Sequence, residues 1–147
     1  MNSGRLLVVE DIGSTLVGTI RELKDLVAEI KQVTNVEDAI ECLRHEKFDL
    51  ILLDWRLPLK PEGPVNDNAG LDILNHTKLP LGTDNLDIPV IVLTAQSSTI
   101  DSRALKEHPN CRYVISKMMM DDITRRTSEL LNERAHSEAK SGRQGGM

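Results

Sequence analysis

The chain has 147 residues, of which 39% are hydrophobic, 2% aromatic and 28% charged, and its formal net charge is −5. This length and balance predict one folded domain with an aliphatic core, and they exclude a wholly disordered chain. The negative net charge argues against direct binding to nucleic acid, and no apolar run approaches the roughly 20 residues that a membrane span needs.

Short apolar runs alternate with segments of helical spacing along the whole chain. The runs are apolar on both faces, which is typical of parallel strands covered by helices on each side. In chain order they are Leu6–Val9, a weaker run at Ile30–Val33, Leu50–Leu53, Val90–Leu93, and a second weaker run at Tyr113–Ile115. Five such units predict an α/β fold, a doubly wound (βα)5 architecture with a five-stranded parallel sheet.

The helices between these runs are predicted from apolar residues at steps of three and four. Segment 16–27 has this spacing, and Ser14 or Thr15 is placed to cap it. Segment 36–43 follows Asn35, which we predict as its N-cap because acidic residues occupy the first turn after it. Three further helices are predicted near residues 70–77, 98–107 and 120–136.

Two connections and the end of the chain depart from the regular alternation. The connections Leu57–Ala69 and Lys78–Ile88 are long for a compact domain, and such loops are either functional or disordered. Residues 137–147 are rich in Ser and Gly and nearly devoid of apolar side chains. We therefore expect a folded domain over residues 1–136 and a disordered tail over 137–147.

Polar residues follow four of the predicted strands, where ligands bind in open parallel sheets. They are Glu10 and Asp11, Asp54, Thr94, and Lys117. Each alone is most often a turn or cap residue, but their joint placement predicts one pocket. Clustered carboxylates repel one another unless a cation compensates, and Mg²⁺ prefers oxygen ligands. The pattern predicts a magnesium site that can hold a phosphoryl group, with a carboxylate as the nucleophile.

These motifs resemble the receiver domain of two-component response regulators, the CheY-like superfamily. The resemblance covers nearly the whole chain, from about Arg5 to about Arg134. The segments that carry it are LLVVED (Leu6–Asp11), LILLDWRLP (Leu50–Pro58), AGLDIL (Ala69–Leu74), PVIVLTA (Pro89–Ala95) and YVISK (Tyr113–Lys117). It implies the flavodoxin-like receiver fold.

The resemblance also implies a phosphoacceptor and a metal shell. Asp54 would be the phosphate acceptor and would also ligate Mg²⁺. Asp11 would bind the metal directly, and Glu10 would bind it directly or through water. The main-chain carbonyl of Arg56 would complete the protein's share of the shell.

The remaining implied roles concern the phosphoryl group and the switch. Thr94 and Lys117 would bind phosphoryl oxygens, and the small Ala95 would leave the site open to the phosphodonor. The donor would be a sensor histidine kinase or a phosphotransfer protein, and the output would pass to a downstream target protein. The chain would thus be a single-domain signalling switch and not an enzyme in the usual sense. We expect it in the cytoplasm, because its two cysteines suggest neither a disulfide nor a zinc site.

Two positions near the last strand depart from the family pattern. Met118 stands where the family usually has a proline, which leaves the geometry of that loop open. Val114 occupies the usual position of the aromatic switch residue, and Tyr113 lies one residue earlier. On a strand this shift points the side chain to the opposite face, so Tyr113 is a packing residue or a switch.

Two alternatives to a phosphorylated switch are considered. One is a binding module of receiver fold that does not depend on phosphorylation. The other is a phosphatase of the haloacid-dehalogenase type, which needs a second aspartate two residues after its nucleophile. Arg56 stands at that position and cannot donate a proton at neutral pH, so this alternative is disfavoured. The sequence leaves the oligomeric state open.

Overall fold

The computed structural model describes residues 4–10, 17–55, 57–58, 60, 63–66, 73, 88–94 and 110–145. The elements of the first half are β1 (Arg5–Val9), α1 (Val17–Leu23), β2 (Glu29–Val33), α2 (Val36–His45) and β3 (Leu50–Asp54). Those of the second half are β4 (Leu57–Pro58), β5 (Val65–Asn66), β6 (Val90–Thr94), β7 (Cys111–Ser116) and α3 (Met120–Gly145).

Five of the strands form one parallel sheet in the order β2-β1-β3-β6-β7. This confirms the predicted doubly wound, flavodoxin-like α/β fold. The chain moves to one side of β1 to form β2 and then to the other side to form β3, so the strand order reverses between β1 and β3. In folds of this kind the crevice beyond the carboxyl ends of those strands is the usual ligand site.

Alternate strand residues supply two apolar layers, one on each face of the sheet. Leu6 and Val8 of β1 face the side of α1 and α3, where Leu23 and Ile123 are fully buried. Leu7 and Val9, the intervening residues, face the side of α2. The three central strands β1, β3 and β6 are therefore buried on both faces, which explains why their sequences are unbroken apolar runs.

Helix α2 confirms the capping prediction. The Asn35 Oδ1 atom accepts a hydrogen bond from the backbone N–H of Asp38 at 2.9 Å, and Asn35 is fully buried. Helix α1 ends at Leu23, before the end of the predicted segment 16–27. There the Leu26 N–H turns back to the Leu23 carbonyl at 2.9 Å, a tight bond that closes the helix.

The predicted long connection after β3 contains regular structure. Strands β4 and β5 form an antiparallel pair, and between them the Gly63 N–H donates to the Lys60 carbonyl at 3.0 Å. Apart from Ile73 and Ile88, the predicted helices near 70–77 and 98–107 and the connection 78–88 lie outside the described residues, as do Ser14 and Thr15.

The last helix is longer than predicted. Helix α3 runs from Met120 to Gly145, whereas the sequence led us to expect a helix near 120–136 followed by a disordered tail over 137–147. The added turns carry good helix formers such as Ala139 and Lys140, and extending an existing helix avoids the cost of nucleating one. The domain boundary at residue 136 stays a prediction. None of the helices in the described ranges is long and apolar enough to cross a bilayer.

Candidate functional site

Two carboxylates meet at the carboxyl end of the sheet. Glu10 follows β1, and its backbone N–H still pairs with the Val33 carbonyl at 3.0 Å, so its position is set by the sheet. Asp54 is the last residue of the neighbouring strand β3. Both side chains are buried, since the exposed fractions of these residues are 7% and 4%.

Lys117 directly follows the edge strand β7, and its side chain reaches both carboxylates. Its Nζ atom lies 2.8 Å from Glu10 Oε1 and 2.8 Å from Asp54 Oδ2. Its backbone N–H donates to the Thr94 carbonyl at 2.9 Å, which extends the pairing of β6 and β7 by one residue. The ammonium therefore bridges three strand ends that are far apart in sequence.

Thr94 lies at the same edge. It ends β6, which runs between β3 and β7, and its side chain is buried. The structure thus brings four of the predicted site residues together at one edge of the sheet: Glu10, Asp54, Thr94 and Lys117. The other predicted site residues lie outside the described part of the chain: Asp11, Arg56 and Ala95.

Burial sets the protonation behaviour of this cluster. Removal from water raises the pKa of the Glu10 carboxyl to about 7, and the nearby charge of Asp54 adds to the rise, although the hydrogen bond from Lys117 opposes it. Burial alone lowers the pKa of Lys117, but its hydrogen bonds to both carboxylates outweigh this and raise the pKa above its ordinary value. Lys117 is thus a permanent cation at neutral pH.

The charge balance of the cluster favours a further cation. One ammonium faces two buried carboxylates, so the group carries an excess negative charge whenever Glu10 is ionised. Glu10 Oε2 is buried and has no hydrogen-bond partner among the described residues. An oxygen of this kind fits Mg²⁺, which prefers carboxylate ligands. Within the described ranges no group of three or more metal-ligating side chains is found, and the third predicted carboxylate, Asp11, lies outside them.

Tyr113 and Val114, the two residues considered for the aromatic switch position, face opposite sides of the sheet, as predicted. Tyr113 packs against the layer that contains α3, and the Arg126 guanidinium lies over its ring, 4.6 Å from the centroid. Val114 pairs with Val92 on the other side and is 40% exposed. Tyr113 is therefore a packing residue in this structure.

A bulge at the start of β7 sets this orientation. Val90 pairs with Cys111 and Ile91 with Tyr113, so Arg112 is an extra residue without a partner in the register. The bulge puts Cys111 and Tyr113 on opposite faces, although an unbroken strand would put them on the same face. Sequence alternation alone gives no sign of it.

Ser116 is not among the residues predicted for the site, and the structure places it beside Lys117. The Ser116 Oγ atom accepts the backbone N–H of Met118 at 3.2 Å, and the Ser116 carbonyl accepts the N–H of Met119 at 3.0 Å. The available signal was a serine directly before a turn, a residue type that commonly bonds the backbone two positions on.

Comparison with known proteins identifies the family. A family model of the response regulator receiver domain matches residues 6–127, which include every residue of the site described above. The chain belongs to the receiver domain family of two-component response regulators. The luminescence regulatory protein LuxO of Vibrio campbellii is 30% identical to it over 133 residues, which are 86% of this chain and 27% of LuxO. The receiver thus spans about a quarter of that relative.

Solved structures agree on the fold. A CheY-like response regulator receiver domain from Methanospirillum hungatei JF-1 superposes with a TM-score of 0.71 at 22% identity, covering 90% of this receiver and 97% of that chain. The receiver domain of the sensor histidine kinase PA1611 from Pseudomonas aeruginosa PAO1 gives a TM-score of 0.69 at 18% identity, with 88% and 98% covered. That structure holds a magnesium ion coordinated in its active-site cleft.

Proposed function

We propose that this receiver accepts a phosphoryl group on Asp54 in a Mg²⁺-dependent reaction and thereby switches a protein-interaction surface. The observation that carries the proposal is the Lys117 ammonium, which lies 2.8 Å from both Glu10 and Asp54 at the carboxyl end of a receiver sheet. A buried carboxylate beside a fixed cation has what an acceptor of a dianionic group requires.

Each residue has a role that its chemistry supports. Asp54 supplies the nucleophilic oxygen. Lys117 and the Thr94 hydroxyl stabilise the negative charge of the transferred group as donors. Glu10, Asp11 and the main-chain carbonyl of Arg56, with Asp54, would hold Mg²⁺. The bound ion would neutralise charge on the phosphoryl oxygens.

Transfer of the phosphoryl group forms one bond to phosphorus and breaks another. An Asp54 carboxylate oxygen attacks phosphorus, the new P–O bond forms, and the bond from phosphorus to the donor nitrogen breaks. With a phosphohistidine donor the imidazole leaves and recovers its proton from solvent. Water later attacks the same phosphorus and releases inorganic phosphate, which restores the Asp54 carboxylate. The receiver changes only its own state, so we regard it as a switch and not as an enzyme.

Partners and location complete the proposal. The donor is a sensor histidine kinase or a phosphotransfer protein, and the output is a downstream target protein. A phosphoryl dianion near Thr94 would draw its hydroxyl inward and change the face formed by β6 and β7. Both cysteines, Cys42 and Cys111, are free thiols, which supports a reducing cytoplasmic location.

The test is the intact mass of the protein after incubation with acetyl phosphate, with Mg²⁺ or with EDTA. We expect the wild type to gain one phosphoryl group with Mg²⁺ and none with EDTA. Asp54→Ala should gain none under either condition. Asp25→Ala is the matched control, because Asp25 is an exposed aspartate that follows α1.

Failure of the folded wild type to gain a phosphoryl group would distinguish between the proposed functions. A folded wild type that gains no phosphoryl group and does not bind beryllofluoride with Mg²⁺ would contradict the proposal. It would favour a receiver-fold binding module that works without phosphorylation. A gain that persists in Asp54→Ala would place the acceptor elsewhere.

A further inference from the structure

The turn between β7 and α3 carries Lys117 and is held by backbone hydrogen bonds. The Lys117 N–H donates to the Thr94 carbonyl at 2.9 Å on the strand side. The Met119 N–H donates to the Ser116 carbonyl at 3.0 Å on the helix side. The residue between them, Met118, donates its N–H to the Ser116 side chain at 3.2 Å.

The side chain of Met118 does not hold the turn. Its exposed fraction is 76%, and that of Met119 is 52%. What Met118 contributes is its backbone N–H, which a proline at this position would lack. The Ser116 hydroxyl is thus the side-chain partner of the backbone N–H that directly follows Lys117.

The helix end of the turn is anchored by packing. Met120 begins α3, and its Cε atom lies 2.9 Å from the position that a Cβ atom on Gly18 would occupy. Met120 packs closely against helix α1, and this is possible because residue 18 is a glycine. Lys117 is held by its bond to Thr94 on the strand side and α3 is fixed on the other, so the turn between them sets the direction in which the Lys117 side chain leaves the backbone.

We propose that Ser116 is a positioning residue for Lys117: its hydroxyl fixes the turn so that the Lys117 ammonium reaches both Glu10 and Asp54. The inference rests on the proposed function, because positioning matters through the phosphoryl group that Lys117 would bind. Lys117 makes two contacts of 2.8 Å at once, so its ammonium must reach both carboxylates from one backbone position. A small misplacement of a group that acts in a reaction lowers the reaction rate.

The experiment compares two pairs of variants. Ser116→Ala removes the acceptor and Ser116→Thr keeps it. Met118→Pro removes the donor and also restricts the backbone of Lys117, whereas Met118→Ala keeps the donor and removes only an exposed side chain. The readouts are the initial rate of phosphorylation by acetyl phosphate with Mg²⁺, the urea midpoint, and the ¹H–¹⁵N signal of the Lys117 ammonium, whose protons exchange slowly only when hydrogen-bonded.

We expect Ser116→Ala and Met118→Pro each to slow phosphorylation by about three- to tenfold, the range that one lost hydrogen bond allows. Both should weaken the ammonium signal. Ser116→Thr and Met118→Ala should behave as the wild type in rate and signal. A merely structural role of Ser116 would lower the urea midpoint and leave the rate of the folded protein and the ammonium signal unchanged.

Two results would overturn the inference. One is a Ser116→Ala variant with the wild-type rate and ammonium signal. The other is Met118→Ala slowing the reaction as much as Met118→Pro, since the side chain and not the N–H would then matter. A wild type that takes no phosphoryl group contradicts the proposed function instead, and the ammonium signal still decides whether Ser116 positions Lys117.

Discussion

The Lys117 ammonium and the Glu10 carboxylate lie 2.8 Å apart, although 107 positions separate them in the chain. The same ammonium also forms an ion pair with Asp54, so two buried carboxylates share a single positive charge. Buried charge that is only half compensated is costly, and a proton or a metal ion can supply the missing charge. The stability of the protein without metal should therefore depend on pH through Glu10.

The first prediction gives the direction of that dependence. The pKa of Glu10 is raised from 4.5 to about 7, so the folded state binds its proton more tightly than the unfolded state. The contribution of Glu10 to stability is thus full below about pH 4.5 and is lost as the pH rises through about 7. In EDTA, the urea-derived unfolding free energy should fall by up to about 3 kcal/mol over this range on account of Glu10.

Glu10→Gln tests this assignment, because glutamine keeps the shape and cannot ionise. Without metal at pH 8 it should be more stable than the wild type, and the part of the pH dependence due to Glu10 should disappear. Glu37→Gln, an exposed position in the first turn of α2, is the control and should keep the wild-type profile. An unchanged profile in Glu10→Gln would show that the pKa of this carboxyl does not differ between the folded and the unfolded state.

The second prediction concerns competition between Lys117 and Mg²⁺ for the same carboxylate oxygens. Lys117→Met removes the ammonium and leaves both carboxylates to the metal. We expect the Mg²⁺ Kd to fall at least about tenfold, because a nearby positive charge opposes the ion in this buried site. Phosphorylation by acetyl phosphate should nevertheless be lost, since the donor to the phosphoryl group is gone.

Trp55 provides the signal for this titration. It is the single tryptophan of the chain, it directly follows Asp54, and it is 6% exposed. Its fluorescence should therefore report Mg²⁺ binding at the site. Lys24→Met, at an exposed lysine just after α1, should leave the Kd unchanged. Equal affinities for the wild type and Lys117→Met would mean that the ammonium does not compete with the metal.

The third prediction tests the cap of α2. Asn35 is fully buried, and its amide both accepts from the Asp38 N–H at 2.9 Å and donates to the Asp38 carboxylate at 2.8 Å. Asn35→Ala should lower the unfolding free energy by about 1–2 kcal/mol, as measured by urea denaturation. Asn35→Ser keeps an N-cap oxygen and should lose less. Equal losses in the two variants would assign the cost to the donated bond and not to the cap.

Much of the fold, and the meeting of Glu10, Asp54, Thr94 and Lys117 at one edge of the sheet, could be predicted because local pattern and topology act together. The apolar runs that became β1, β3 and β6 are buried on both faces, so each sequence directly reflects its environment. Once five parallel strands are given, residues directly after them must meet at one edge. Glu10 and Asp54 were found in that way without any knowledge of their contacts.

Features that depend on tertiary geometry could not be predicted. The alternation of residues in β7 gives no sign of the bulge at Arg112. The contribution of the Ser116 hydroxyl depends on its hydrogen bond from the Met118 N–H, which only the folded turn brings close. The sequence predicts too short an α3 because the polar residues 137–147 have the composition of a disordered tail. A helix already nucleated and packed needs no apolar face to continue.

The last prediction concerns the opposite end of the sheet, where Asp49 connects α3 to β1. Asp49 Oδ1 accepts from Arg134 Nε at 3.1 Å, and Oδ2 accepts from the Arg5 backbone N–H at 2.8 Å. The Asp49 and Arg134 side chains are only 23% and 19% exposed. A pair this shielded should contribute more than a surface ion pair.

We expect Asp49→Ala to be more destabilising than Arg134→Ala, because it also leaves the partly buried Arg5 N–H without this acceptor. Expected losses in unfolding free energy are about 2 and 1 kcal/mol respectively, and the double variant should lose less than their sum. The matched control is Arg125→Ala, which removes an exposed pair with Asp122 in the same helix and should cost under about 0.5 kcal/mol. Strict additivity of Asp49→Ala and Arg134→Ala in urea denaturation would show that the two side chains do not stabilise each other.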